Sequence, residues 1–302
     1  MNRVATIPFQ QTLSVAFQRS QQRANDLQLQ IASGKSVQTY GDLGQLAPRN
    51  ISAHAMLTRI EAYSDTAKSV GTTLSLYDAH LGRASDAGQS LKNKLLDALA
   101  IGESMGLDQE IENGFAAFTG AMNASEGGNP LFGGTNTAES PFRPETLGDL
   151  AAYDRNTAFA NDSIRASATF LDGQNLKYGV VANAVGADLF DAFKTLASLG
   201  PLNGKLTDAQ KSAIDQAIGE LDRGVDTVLE AQGVNGGNQT RLERLERQGE
   251  DRHILLTGIV GETEDANLAE IAGQLAQTRT MIEASYSVFS QLSRLSLTQY
   301  LR

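Results

Sequence analysis

The sequence contains no cysteine, only three histidines, fewer basic than acidic residues, and no long apolar run. Each shortage removes a class of function. Without cysteine there is no disulfide framework, no thiolate nucleophile and no zinc-thiolate site. The imidazoles of His54, His80 and His253 stand alone, since none has a carboxylate or second histidine at metal-ligand spacing on a helix face. They read as surface or boundary residues. The 35 acidic residues against 25 basic ones give a net charge of -10, the wrong balance for gripping a phosphate backbone. Nucleic acid is therefore not an expected partner. No stretch approaches the roughly 20 apolar residues of a membrane helix, and the first residues lack the apolar core of a signal peptide. Neither membrane insertion nor Sec-type export is expected.

Other polar features resolve into simple readings. The pairs Gly127-Gly128 and Gly133-Gly134 lack the Lys-Ser/Thr and the preceding buried strand of a phosphate loop. The acidic group Glu262, Glu264 and Asp265 lacks the oxygen-ligand spacing of a calcium loop, and reads as a helix start favoured by the macrodipole. The run RLERLERQ from Arg241 reads as a solvated helical face. The expectation is a chain with no catalytic residues, no cofactor and no metal, hence not an enzyme.

What is present is a pattern shared by both ends. Leu13, Phe17, Ser20, Ala24, Leu27 and Ile31 recur at steps of four and three, as do Ile271, Leu275, Thr278, Ile282, Ser285, Phe289 and Leu292. Such steps align side chains on one narrow helical stripe, the seam of a coiled coil. Ser20, Ala24, Thr278 and Ser285 stand where a self-sufficient coiled coil places Leu or Ile, and short isolated helices are already marginal in water. The ends should be weakly folded alone and ordered by partners.

Between the ends, apolar residues at helical spacing run from Ile51 through Leu81 to Ile101, and again at Ile111, Phe115, Phe118 and Met122. From about 129 to 187, Gly, Asn, Pro and Thr crowd together and an Asp172-Gly173 turn separates apolar flanks, the mark of a small β-rich insertion with a hairpin. Helix resumes at Leu189, stops at Gly200-Pro201, and restarts after a Thr207-Asp208 cap. Gly233 to Gly237 is read as a break. The fold expected is mainly α: a long antiparallel helical bundle, the N- and C-terminal helices paired as a coiled coil, plus a small β-rich insertion. Its parts are a terminal coiled-coil assembly domain (1–42 and 262–302), a helical bundle domain (43–128 and 188–261) and the insertion (129–187).

Several motifs point to one family. GKSVQTYGDLG after the first helix resembles the loop that follows the N-terminal helix of bacterial flagellins and their relatives. GETEDANLAEIAGQLAQTRTMIEAS, from Gly261 to Ser285, is similar to their approach to the C-terminal helix. Within that family, GNPLFGGTNTAESPF (Gly128 to Phe142), VNGGNQTRLERLE from Val234 and the ending LSLTQYLR resemble the hook-associated protein 3 group, the hook-filament junction proteins, although the final Arg302 is flagellin-like.

The resemblance implies a structural part of the flagellum, exported by the flagellar type III system without a cleaved signal peptide, and located outside the cell. It implies an adaptor ring of identical copies, with a hook-associated protein on the hook side and flagellin on the filament side. A cytoplasmic export chaperone would bind the C-terminal helix. The residues implicated in assembly are Leu13, Phe17, Leu27, Ile31, Ile271, Leu275, Ile282, Phe289 and Leu292. The alternatives are a filament-forming flagellin and, less favoured, a glycan-binding surface protein or enzyme.

Overall fold

A computed structural model of the chain describes the backbone of residues 6–300 and the side chains of residues 11–288, 290 and 291. The elements run α1 (Thr6–Ser33), a 3-10 helix (Tyr40–Leu46), α2 (Ala47–Ile101), α3 (Leu107–Met122), strands β1 (Ser125–Glu126) and β2 (Asn129–Pro130), a second 3-10 helix (Leu147–Ala152), β3 (Ser167–Thr169), β4 (Asn175–Lys177), α4 (Ala182–Ala197), α5 (Asp208–Glu264) and α6 (Leu268–Tyr300). This is the expected mainly helical architecture with a small β insertion. The chain divides into two compact units, Met1–Arg59 with Asp251–Arg302, and Ile60–Glu250. Both α2 and α5 contribute to each.

Local chemistry sets the helix ends. Gly102 takes a left-handed φ of 79° and returns its N–H to Ala98 at 2.8 Å, closing α2 as a C-terminal glycine cap. Thr207 and Gln210 exchange hydrogen bonds of 3.0 and 3.2 Å, a reciprocal cap that starts α5 as the sequence indicates.

The core of the 60–250 unit is aromatic. Phe115 and Phe118 from α3, Phe142 and Phe159 from the insertion, and Phe190 and Phe193 from α4 are all buried, with ring centroids 5.1 to 6.2 Å apart. The insertion is therefore part of the core. Asn123 ties it down, donating to Phe142 O at 2.9 Å and accepting from Phe142 N–H at 2.8 Å. Tyr77 donates to Leu131 O at 2.7 Å, and burial pushes its hydroxyl pKa up to about 12. The hairpin pairs Ser167 with Lys177, Ala168 with Leu176 and Thr169 with Asn175, around left-handed Asp172 and Gly173. That is the turn the Asp-Gly pair announces.

The chain departs from expectation at Gly233 to Gly237, where α5 runs unbroken for 57 residues. Glycine in a helix costs about 1 kcal/mol against alanine, a penalty that packing can outweigh. Here Asn235, 1% exposed, donates to Leu74 O at 2.8 Å, with Val228 buried before it and Leu242 after it. A Cβ on Gly233 or Gly237 would meet open space, whereas one on Gly186 would press Met122 Sδ and Phe159 at 3.1 Å. Gly233→Ala and Gly237→Ala should each stabilise the protein by about 0.5–1 kcal/mol. Gly186→Ala should cost about 1–3 kcal/mol. Denaturant unfolding followed by circular dichroism tests both signs.

Candidate functional site

The unit containing both ends is built on α1 lying beside α6. Ala24, Leu27, Ile271 and Thr278 are buried, while Leu13, Phe17, Ser20, Leu275, Ile282 and Ser285 are half-buried. The rings of Phe17 and Tyr286 lie 6.2 Å apart. Ile31, placed on the seam by its spacing, is 38% exposed, because Gln30 occupies the inward position as α1 ends. Phe289 and Leu292 belong to α6, but their side chains lie outside the described residues.

The polar seam residues contribute little across the pair. Ser20, Thr278 and Ser285 turn their hydroxyls back to the carbonyls of Ala16, Gln274 and Met281 on their own helices, at 3.1, 2.7 and 2.7 Å. A few apolar side chains therefore hold this pair.

Many apolar side chains stay in the open. In this unit Val15, Leu29, Ile31, Tyr40, Leu46, Ile51, Ile254, Leu255, Leu268, Met281, Tyr286 and Val288 are exposed. In the larger 60–250 unit the exposed large apolar residues are Leu96, Ile101, Met105, Ile164, Leu229 and Val234. Twelve of these eighteen thus fall in little more than a third of the chain. Exposed apolar side chains are thus about three times as frequent per residue in this unit as in the other.

A clasp joins the segment after α1 to the α5–α6 junction. Gly34, at φ 69°, caps α1 and accepts from Ala266 N–H at 2.9 Å, and Ser36 N–H donates to Glu264 O at 2.6 Å. Lys35 lies 2.8 Å from Asp265 Oδ1 and 3.3 Å from Glu264 Oε2. His54 Nε2 is 2.6 Å from Glu264 Oε1, and buried Asn50 donates to Thr263 Oγ1 at 2.8 Å.

The acidic group is thus a correction. Glu262 and Glu264 occupy the last turn of α5, not a helix start, and Asp265 follows directly. Carboxylates there oppose the macrodipole, and Lys35 and His54 offset that repulsion. Burial disfavours the charged Glu264 carboxylate, but hydrogen bonds from His54, Asn50 and Lys35 outweigh it and hold the pKa below the usual glutamate value. Lys35 is raised, chiefly by its bond to Asp265.

Sequence reasoning read His54 as a boundary histidine and left Lys35 and Asn50 unassigned. His54 and Glu264 are 210 positions apart, so no local spacing signals the pair. A cleft of about 300 Å³ lined by Lys35, Thr39, Tyr40, Leu43, His54 and Glu264 opens beside it. Among the described residues no group of three or more His, Cys, Asp or Glu is placed to hold a metal ion, and no helix is long and apolar enough to cross a membrane.

The clasp carries a pH dependence. A depressed glutamate pKa stabilises above the unfolded-state value near ~4.3 and is lost as pH falls through the folded-state pKa. The raised Lys35 holds until pH climbs through its folded pKa, above 10.5. The contribution of Glu264 and Lys35 should therefore be level through neutral pH and fall on the acid side. Glu264→Gln should cost about 1–2 kcal/mol at pH 7 and flatten part of that acid limb in melts across pH 3–7.

The sequence matches no protein-family model, and no curated protein matches it closely. Solved structures do. A protein of Vibrio parahaemolyticus described as a flagellar hook-associated protein superposes with a TM-score of 0.64 at 16% identity, covering 74% of this chain and 100% of that one. Bacillus cereus FlgL is similar with a TM-score of 0.49 at 13% identity, over 66% of this chain and 98% of that one. The chain has the fold of the Vibrio protein.

Proposed function

We propose that this chain is a structural subunit of the bacterial flagellum, a hook-filament junction protein and not an enzyme. One observation carries the reading: the exposed apolar residues gather on the unit that holds the paired terminal helices, in a chain whose fold is that of a flagellar hook-associated protein. Leu13, Phe17, Leu27, Ile271, Leu275 and Ile282 close the pair within the chain. Val15, Leu29, Ile31, Met281, Tyr286 and Val288 are then left for neighbouring copies in a ring.

The remaining partners follow from this role: a hook-associated protein on one side of the ring, flagellin on the other, and a cytoplasmic chaperone on the C-terminal helix before type III export. A chain that travels through a narrow channel profits from ends that are ordered only on binding. The weak seam supplies that property. The His54–Glu264 pair, a possible acid and base by residue type, is spent on the clasp, since Lys35 also engages Glu264.

Electron microscopy of cells lacking the protein tests the reading. Hooks without filaments, with flagellin shed into the medium, are expected, and restored filaments on return of the wild-type chain. Leu27→Asp, which places a charge at a residue 5% exposed, should fail to restore them while the 60–250 unit keeps its cooperative melt. Normal filaments in the deletion strain would refute the junction role, and long filaments grown from purified chain would favour a flagellin.

A further inference from the structure

We infer that a knob at the end of α2 on one copy docks into a cavity in the 60–250 unit of another copy, with Met105 as the inserted side chain. Met105 is 91% exposed and Ile101 is 73% exposed, the two most exposed large apolar side chains among the described residues. They stand on a braced turn, not a loose one. Ser104 donates twice to Gly204 O, at 2.8 Å from its N–H and 2.9 Å from its hydroxyl, and Leu206 N–H donates to Gly102 O at 3.0 Å. Glu103 forms a backbone bridge with Lys205. Glu103 and Asp108, both exposed, outnumber the one cation of the turn, exposed Lys205, and leave the knob net acidic.

The cavity has the opposite character. It holds about 370 Å³ between the β3–β4 hairpin, the start of α4 and the middle of α5. Val185, Ala231 and Val234 give it an apolar wall, and Asn235 lies among the lining residues with an amide oxygen that has no partner in the structure. Arg165 and Lys177 also line it, and neither side chain forms an ion pair among the described residues. Glu230 is the sole acidic lining residue. In a chain of net charge -10, two unpaired cations around an apolar hole select an acidic, apolar guest, and the knob is one. Methionine suits an irregular cavity because its unbranched thioether adapts.

The contact must lie between copies. Asn235 is bonded to Leu74, and from Leu74 to Ile101 the helix α2 spans roughly 40 Å at 1.5 Å per residue, so the knob cannot reach its own cavity. A patch on one copy meeting a different patch on the next is a heterologous contact, the kind that generates rings or helical arrays.

Absence of cysteine makes the test clean. Met105→Cys and Val234→Cys, both at exposed positions, are made in separate chains of distinguishable mass, mixed at assembling concentration and oxidised. The mixed disulfide should exceed that of a control mixture, Met105→Cys with Leu96→Cys, by about tenfold. Adding Arg165→Glu and Lys177→Glu to the Val234→Cys chain should return it to the control level. The inference rests on the reading of the chain as one that assembles with its own copies, which light scattering on the wild-type chain reports separately. Association with a mixed disulfide at control level overturns the knob alone; a wild-type chain that stays monomeric overturns both. A mixed disulfide that survives charge reversal overturns the electrostatic selection.

Discussion

The terminal unit depends on a two-helix seam that buries few apolar side chains. A pair of helices buries one stripe of each, and here that stripe spends positions on Ser20, Thr278 and Ser285, whose hydroxyls bond to their own backbones. These hydroxyls add no bond across the pair, and Val15, Leu29, Met281, Tyr286 and Val288 on the same two helices stay exposed. The 60–250 unit solves the same problem differently, gathering six phenylalanines from helices and insertion into one cluster. The larger unit encloses its large apolar side chains more fully than the terminal one.

The clasp shows how the weak pair is nonetheless aligned. Backbone bonds from Ser36 to Glu264 and from Ala266 to Gly34 set the register between the segment after α1 and the start of α6. Lys35 and His54 then compensate the carboxylates that crowd the C-terminal turn of α5. Alignment is local and polar, while the seam is long and weakly apolar. That division fixes one register at the clasp end of the pair.

Much of the helical layout was legible because period and punctuation agree: Gly200-Pro201 ends α4, Thr207 caps α5, and Asp172-Gly173 turns the hairpin. Spacing also places Leu13, Phe17, Ala24, Leu27, Ile271, Leu275, Thr278 and Ile282 at buried or half-buried positions, but it could not tell that Gln30 takes the inward position in place of Ile31. Gly233 to Gly237 misled because helix propensity is a local prior, and buried Asn235 and Leu242 override it through contacts with residues far away in sequence. The clasp was invisible for a deeper reason. Its partners are more than 200 positions apart, and their residue types are unremarkable until the chain folds back.

The central claim is that the terminal helices are only marginally ordered in the free chain and are set by neighbouring copies. Amide hydrogen exchange, read separately on the free chain and on assembled protein, measures this directly. The account predicts that α1 and α6 exchange fast in the free chain and slow by orders of magnitude in the assembly, while amides packed on the phenylalanine cluster are slow in both. Equal protection of α1 and α6 in the two states would contradict it.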